Sequence, residues 1–308
     1  MPIVLENLSE IINNILMKST KFLIPVVLFG SAIMFGSCSG SAKKEAEKEA
    51  KKQVQTVKAV VIAEELKKEC VEIYNQTASE QNKFIENLAE MKSELADVPV
   101  KFFMPLNVAG RAQTLWQKAQ VLGFYNVDRN VDKFLFGGNN GNAEREASML
   151  SLATDLNLST DFINGDELNS DNRAETLQKI NDFNTQMFAK ALDNDNAQFA
   201  TVSMAYSIIE STICKIGLAK LWDDEVDQQK IFSVVIEQME MLRNFTKLYT
   251  TLKPYYDSLS PLEPLVQKIQ KVANADKGTE LDNALYDYIS YANEMRDHVL
   301  TEFNLVVK

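Results

Sequence analysis

An all-α fold, a multi-helix bundle of antiparallel helices, follows from three features of this 308-residue chain. Apolar residues recur at steps of three and four, the spacing that builds one stripe along a helix. Only 7 Pro and 11 Gly interrupt it, so breakers are scarce and long helices are favoured. No segment alternates at period two, which leaves no strand to build a sheet. With 45% hydrophobic and 24% charged residues, the chain has a globular composition. Residues 57–306 are long enough for a single helical-bundle domain.

The first helix starts near Val57 and carries Val61, Leu66, Cys70 and Ile73 on its stripe, and the pattern resumes at Phe84, Leu88, Met91 and Leu95. Asp97-Val98-Pro99 ends it, because the residue before proline is pushed away from helical geometry. Helices are predicted from Asn107 to Leu122 and from Tyr125 to Phe136, parted by Gly123, which would close the first in a left-handed conformation. Gly137 to Asn142 is the clearest loop, since its residues tolerate positive φ. It does not match a phosphate-binding loop: no strand precedes it and no Lys-Ser/Thr follows. Ala143 to Leu156 forms the next helix, and a polar stretch runs to Asn172. Arg173–Leu192 and Gln198–Trp222 read as antiparallel helices joined by Asp193-Asn194-Asp195-Asn196, and one long helix runs from Val226 to Leu252. Ser260-Pro261-Leu262-Glu263 has the form of a capping box with proline at the first helical position. The last helix runs from Thr279 to about Val306, with Asp282 in the capping position.

Residues 1–37 read as a signal peptide. Lys18 and Lys21 precede an apolar run from Phe22 to Phe35, too short to span a bilayer comfortably. Glu6 and Glu10 make the stretch before Met17 a poor basic region, so the true start is expected at Met17. Gly36-Ser37-Cys38 resembles the lipobox of bacterial lipoproteins, which implies that Cys38 takes a diacylglyceryl group and heads the mature chain. Phe35 stands where a lipobox usually has leucine, so a plain signal peptide or an uncleaved anchor is the alternative. Residues 38–56 then serve as anchor and tether. The Lys/Glu/Ala run from Lys43 to Lys52 lacks an apolar face to bury and reads as a solvated spacer.

The net charge of -11 is unchanged by loss of Lys18, Lys21, Glu6 and Glu10. It argues against nucleic acid, which needs a concentrated Lys/Arg surface. Cys70 and Cys214 remain after the anchor. In an exported protein they either close one disulfide or stay buried as small hydrophobes.

Gln120-Val-Leu-Gly-Phe-Tyr-Asn-Val-Asp128, Leu152-Ala-Thr-Asp-Leu-Asn-Leu158 and Asn172-Arg173 carry a resemblance to a group of uncharacterised all-helical lipoproteins of Bacteroidetes bacteria, extending weakly through Ile208-Ile209-Glu210 and the final helices. Phe124 replaces a usual β-branched residue, and Asn157 stands where glycine is common. The resemblance implies an exported helical lipoprotein and assigns no catalytic residue. Surface-displayed lipoproteins of these bacteria commonly carry acidic residues behind the anchoring cysteine. Ser39-Gly40-Ser41-Ala42-Lys43 is neutral then basic, so the periplasmic face of the outer membrane is expected.

Candidate sites are few. Tyr125, Asp128 and Arg129 either line a ligand pocket beside the Gly-rich loop or serve structure, with the Tyr125 hydroxyl held by Asp128 or backbone. Glu294, His298 and Glu302 recur at steps of four on one helix face, a spacing for one divalent cation. A solvated face with a Glu–His contact is the plainer reading. Asp223-Asp224-Glu225-Val226-Asp227 lacks the calcium-loop pattern and suits the N-terminus of the following helix. No Gly-x-Ser-x-Gly elbow or linked Cys-His pair is present. Tyr249, Tyr255, Tyr256, Tyr286, Tyr288 and Tyr291 crowd the C-terminal third, and the last three cannot share one face. The expected protein is thus a lipid-anchored, non-enzymatic interaction or scaffold module of the cell envelope, without cofactor, held to the membrane by its lipid and meeting an envelope protein. The alternative is a small-ligand or metal-binding lipoprotein with a pocket between helices.

Overall fold

The computed structural model describes residues 62–89, 100–163, 173–222 and 226–302. Cys38 and the residues expected to form a signal peptide and charged tether lie outside the described residues, as do Asp223, Asp224 and Glu225.

The described residues form nine α-helices: α1 (Glu64–Ala89), α2 (Leu115–Leu135), α3 (Asn142–Asp155), α4 (Arg173–Asp193), α5 (Ala197–Trp222), α6 (Gln228–Ile236), α7 (Met239–Leu252), α8 (Glu263–Asn274) and α9 (Thr279–Glu302). Short 3-10 turns at Leu106–Arg111, Asp161–Ile163 and Asp257–Leu262 link them. The fold is all-α, as the 3.6-residue periodicity requires.

The helix ends follow local chemistry. Thr114 caps α2: its side chain accepts from the Gln117 N–H at 3.1 Å, and the Gln117 side chain accepts from the Thr114 N–H at 3.1 Å. This reciprocal box satisfies two donors that helix geometry leaves unpaired. α3 ends in a left-handed turn, with Asn157 at φ 52° and Leu158 N–H bonded to Ala153 O at 2.9 Å. Asparagine tolerates that conformation, which explains how it stands in a position suited to glycine. The turn at Asp193–Asn196 closes the same way: Asp195 has φ 58° and Asn196 N–H reaches Ala191 O at 2.7 Å.

Three expected boundaries are corrected. Leu115–Leu135 is one helix, and Gly123 lies inside it with no positive φ. A Cβ at Gly123 would stand 2.2 Å from the Ser203 carbonyl oxygen, so glycine is there to let α5 cross α2 backbone to backbone. The single helix expected over Val226–Leu252 breaks at Glu237–Gln238 into α6 and α7. The capping box at Ser260–Glu263 does not form: Ser260 Oγ donates to Asp257 O, the Tyr249 hydroxyl donates to Glu263, Pro261 lies in the 3-10 turn, and the proline in the first turn of α8 is Pro264. Asp282 lies in the first turn of α9.

Side-chain pairs set the register. α1 runs antiparallel to α4, with Lys67 on Asp193, Tyr74 stacked on Phe188, and Asn82 on Asn181. α3 is antiparallel to α2, with Lys118 on Asp155 and Arg145 near Asp128 and Asp132. α9 is antiparallel to α5 through Arg296 on Glu210 and Tyr288 on Thr212. Within this antiparallel framework the central pair runs parallel: Gln120 meets Tyr206, Gly123 meets Ser207, and Asp128 meets Cys214. α3 and α4 lie between these two helices in sequence and carry the chain back.

α5 is long and apolar enough to cross a membrane, yet 78% of its apolar window is buried inside the bundle. That marks it as the axis of the core. One large apolar cluster includes Phe124 and Tyr125 of α2 and Ile208 and Ile209 of α5. A smaller one begins at Val127 and Cys214 on the same helices. Charged residues occupy the seam between them.

Candidate functional site

That seam is the densest group of charges in the bundle. Asp128, Arg129, Asp132 and Glu210 are 0% exposed and Arg145 is 1% exposed. Buried charges persist only when paired and hydrogen-bonded. Arg296 of α9 grips Glu210 with two nitrogens, at 2.9 and 3.2 Å, and gives a third bond to Phe102 O at 2.6 Å. Burial works against its charge, but Glu210 and then Asp128 more than offset that, and its pKa is raised. Asp128 accepts from the Met104 N–H at 2.7 Å and from the Cys214 thiol at 3.7 Å. Burial, then the nearby Glu210, push its pKa well above 3.8, against the opposing pull of Arg145 and Arg296.

Arg145 of α3 completes the assembly. Its guanidinium lies 3.9 Å from Asp128 and 3.7 Å from Asp132, and within 6 Å of the Phe103 and Tyr125 ring centres, the arrangement of a cation–π contact. Asp132 accepts from the backbone and side-chain nitrogens of Asn140, at 3.0 to 3.2 Å. That bond ties down the Gly-rich loop, whose Gly137, Gly138 and Gly141 all have positive φ.

The sequence-predicted residues fall into this frame unevenly. Tyr125 is buried and donates to the carbonyls of Pro105 and Leu106, each at 2.8 Å. Of the two partners expected for its hydroxyl, backbone is the one found, and burial pushes it up to about 12. Asp128 shares the seam with it. Arg129 points elsewhere, to Asn126 and Asn130, and burial lowers it to about 10. Cys70 and Cys214 are both free and buried, so they take the small-hydrophobe role of the two expected. Burial raises both thiols, Cys70 to about 11.

Asp128, Glu210 and Cys214 bring their ligand atoms within 4.8 Å of one another, a donor set chemically suited to a divalent metal. The positive charge that a metal would bring is already supplied by Arg296, and the thiol keeps its proton toward Asp128. The group is therefore internally compensated. Its sequence signal was Glu210, a carboxylate set among Ile208, Ile209 and Ile213 in an otherwise apolar helix.

A second polar assembly lies one to two turns away on the same helices, open to solvent. It is a cleft of ≈ 510 Å³ between the start of α2, α5, the Pro261 turn and α9. Trp116, Tyr206, Tyr291 and Met295 supply its apolar lining, and Thr114, Gln117, Gln120, Glu294 and His298 its polar one. The Gln120 side chain is 4% exposed. Its amide nitrogen meets the Tyr206 hydroxyl, while its carbonyl oxygen is buried without a partner. Whichever way the amide is turned, one of its two ends lacks a partner.

Two of the three sequence-predicted metal candidates, Glu294 and His298, line this cleft; the Glu302 side chain lies outside the described residues. Of the tyrosine group, Tyr249, Tyr256 and Tyr288 are buried in the core, Tyr255 and Tyr286 are exposed, and Tyr291 faces the cleft. Asp227 caps α6, accepting from the Lys230 N–H at 2.8 Å. No protein-family model, curated protein or solved structure matches the chain.

Proposed function

We propose that this chain is a non-catalytic, lipid-anchored protein of the cell envelope whose helical bundle holds a small ligand in the cleft between α2, α5 and α9. The observation that carries the reading is the cleft itself, ≈ 510 Å³ and open to solvent, walled by Trp116, Tyr206, Tyr291 and Met295 with Glu294 and His298 among its polar groups. The volume lies in the range of small-molecule sites, and the lining mixes aromatic walls with a few polar groups.

One further fact favours binding over catalysis. The titratable cluster at Asp128, Glu210 and Cys214 is sealed from solvent and answered by arginine. The anchor rests on the Gly36-Ser37-Cys38 signature, and the periplasmic face of the outer membrane on the neutral-then-basic residues behind it.

Intact mass of the protein from its native membrane, beside Cys38→Ala, tests the anchor. A di- or triacylated chain beginning at Cys38, absent from the variant, is expected; an unlipidated mass overturns it. Native mass spectrometry of the same full chain in detergent tests the cleft. A small-molecule adduct in the wild type that is lost in Tyr291→Ala is expected, and an adduct retained equally in the variant overturns the assignment to this cleft.

A further inference from the structure

The residues that line the cleft narrow the chemistry of its ligand. They include one carboxylate, Glu294, one imidazole, His298, and the rings of Trp116, Tyr206 and Tyr291 beside the Met295 thioether, but no lysine or arginine. The cations nearest along the same helices are committed elsewhere: Lys118 reaches Asp155 at 2.7 Å, and Arg296 turns into the seam to hold Glu210. The Glu294 charge is felt inside the cleft, since it acts with burial to raise the Tyr291 hydroxyl. Aromatic faces attract a desolvated organic cation, and a carboxylate at the rim adds direct attraction. An anion would meet Glu294 and the electron-rich faces with no lysine or arginine in the lining and only the His298 imidazole as a protonatable nitrogen, an arrangement that disfavours it.

From this lining we infer that the cleft takes a small organic cation, an amine whose apolar body lies among the rings and whose ammonium faces Glu294. This assignment rests on the cleft reading above and adds to it the charge of the ligand. The protein's net charge of -11 raises the local concentration of such cations and speeds their encounter.

Three probes sharing one ring system separate the possibilities: tryptamine as the cation, indole-3-ethanol as the neutral analogue and indole-3-propionate as the anion. Each is titrated calorimetrically at pH 8 into the full lipidated chain in neutral detergent, and into Glu294→Gln, a surface change that leaves the core untouched. Tryptamine is expected to bind most tightly and indole-3-propionate most weakly. Glu294→Gln is expected to weaken tryptamine about fivefold and to leave indole-3-ethanol unchanged. Equal or tighter binding of the neutral or anionic probe, or a tryptamine affinity indifferent to Glu294→Gln, overturns the cation assignment and leaves the cleft reading standing. Failure of all three probes to bind the wild type overturns both.

Discussion

The buried seam and the open cleft are built on the same helices and place their charges differently relative to water. In the seam, Asp128, Glu210, Arg145 and Arg296 approach one another across α2, α3, α5 and α9, and the principal carboxylates are answered inside the protein. Unmatched polar atoms occur in both, Arg145 Nε and Nη1 in the seam and the Gln120 carbonyl oxygen beside the cleft, but in the cleft the carboxylate, Glu294, stands at an open rim without a lysine or arginine in the lining. One to two turns of the same helices thus separate groups that hold the bundle together from groups at the open cleft. The difference is burial: charges removed from water require partners in the fold, while charges at a rim keep water until a ligand replaces it.

Breaking the seam has the largest expected effect. Glu210→Ala leaves Arg296 facing the core without its bidentate partner and should cost about 3–5 kcal/mol, read as a lower urea midpoint. A loss below about 1 kcal/mol would mean that the seam contributes little. Next comes the crossing that brings both regions together. Gly123→Ala places a methyl 2.2 Å from a backbone oxygen that cannot rotate away, and should cost about 3 kcal/mol through overpacking.

Asp128 sharpens the comparison through pH. Its raised pKa means that the folded chain keeps a proton that the unfolded chain has released, so stability falls as pH rises from the ordinary carboxylate range toward the raised value. The slope in that window approaches about 1.4 kcal/mol per pH unit for one proton. Asp128→Asn fixes the neutral form and should flatten it in denaturation curves taken between pH 4 and 8; an unchanged slope would assign the proton elsewhere. Thr114→Ala removes one arm of the α2 capping box and should lower stability by about 1 kcal/mol, read from the unfolding midpoint. The smallest effect belongs to the cleft: Glu294→Gln should change stability by less than about 0.5 kcal/mol while altering affinity for a cationic probe. A large loss of stability there would make Glu294 a structural residue like those of the seam.

Much of the fold was legible because helix periodicity is local. The stripe from Leu66 to Ile73, the turn at Asp193–Asn196 and the Gly137–Asn142 loop all follow from residue type within a few positions. Gly123 misled for a definable reason. Glycine at a helix end and glycine at a close helix crossing leave the same mark in sequence, and only the partner helix tells them apart. The break at Glu237–Gln238 carried no glycine or proline to announce it. The carboxyl of Glu263 was drawn to Tyr249 on α7, where local pattern expected it to turn back toward Ser260.

By itself the sequence determined the helical class, the acidic balance of the chain, and most of the segments from which helices would be made, because these depend on composition and near-neighbour spacing. The tertiary structure alone decided that α2 and α5 run parallel, that Asp128, Arg145, Glu210 and Arg296 meet although up to 168 residues part them, and that Gln120, Tyr206 and Tyr291 share a cleft. Such meetings depend on which apolar stripes pack together, and several stripes in this chain are alike. The choice among them is made by close contacts that no single helix contains: a glycine that admits a backbone, and an arginine that finds two carboxylate oxygens.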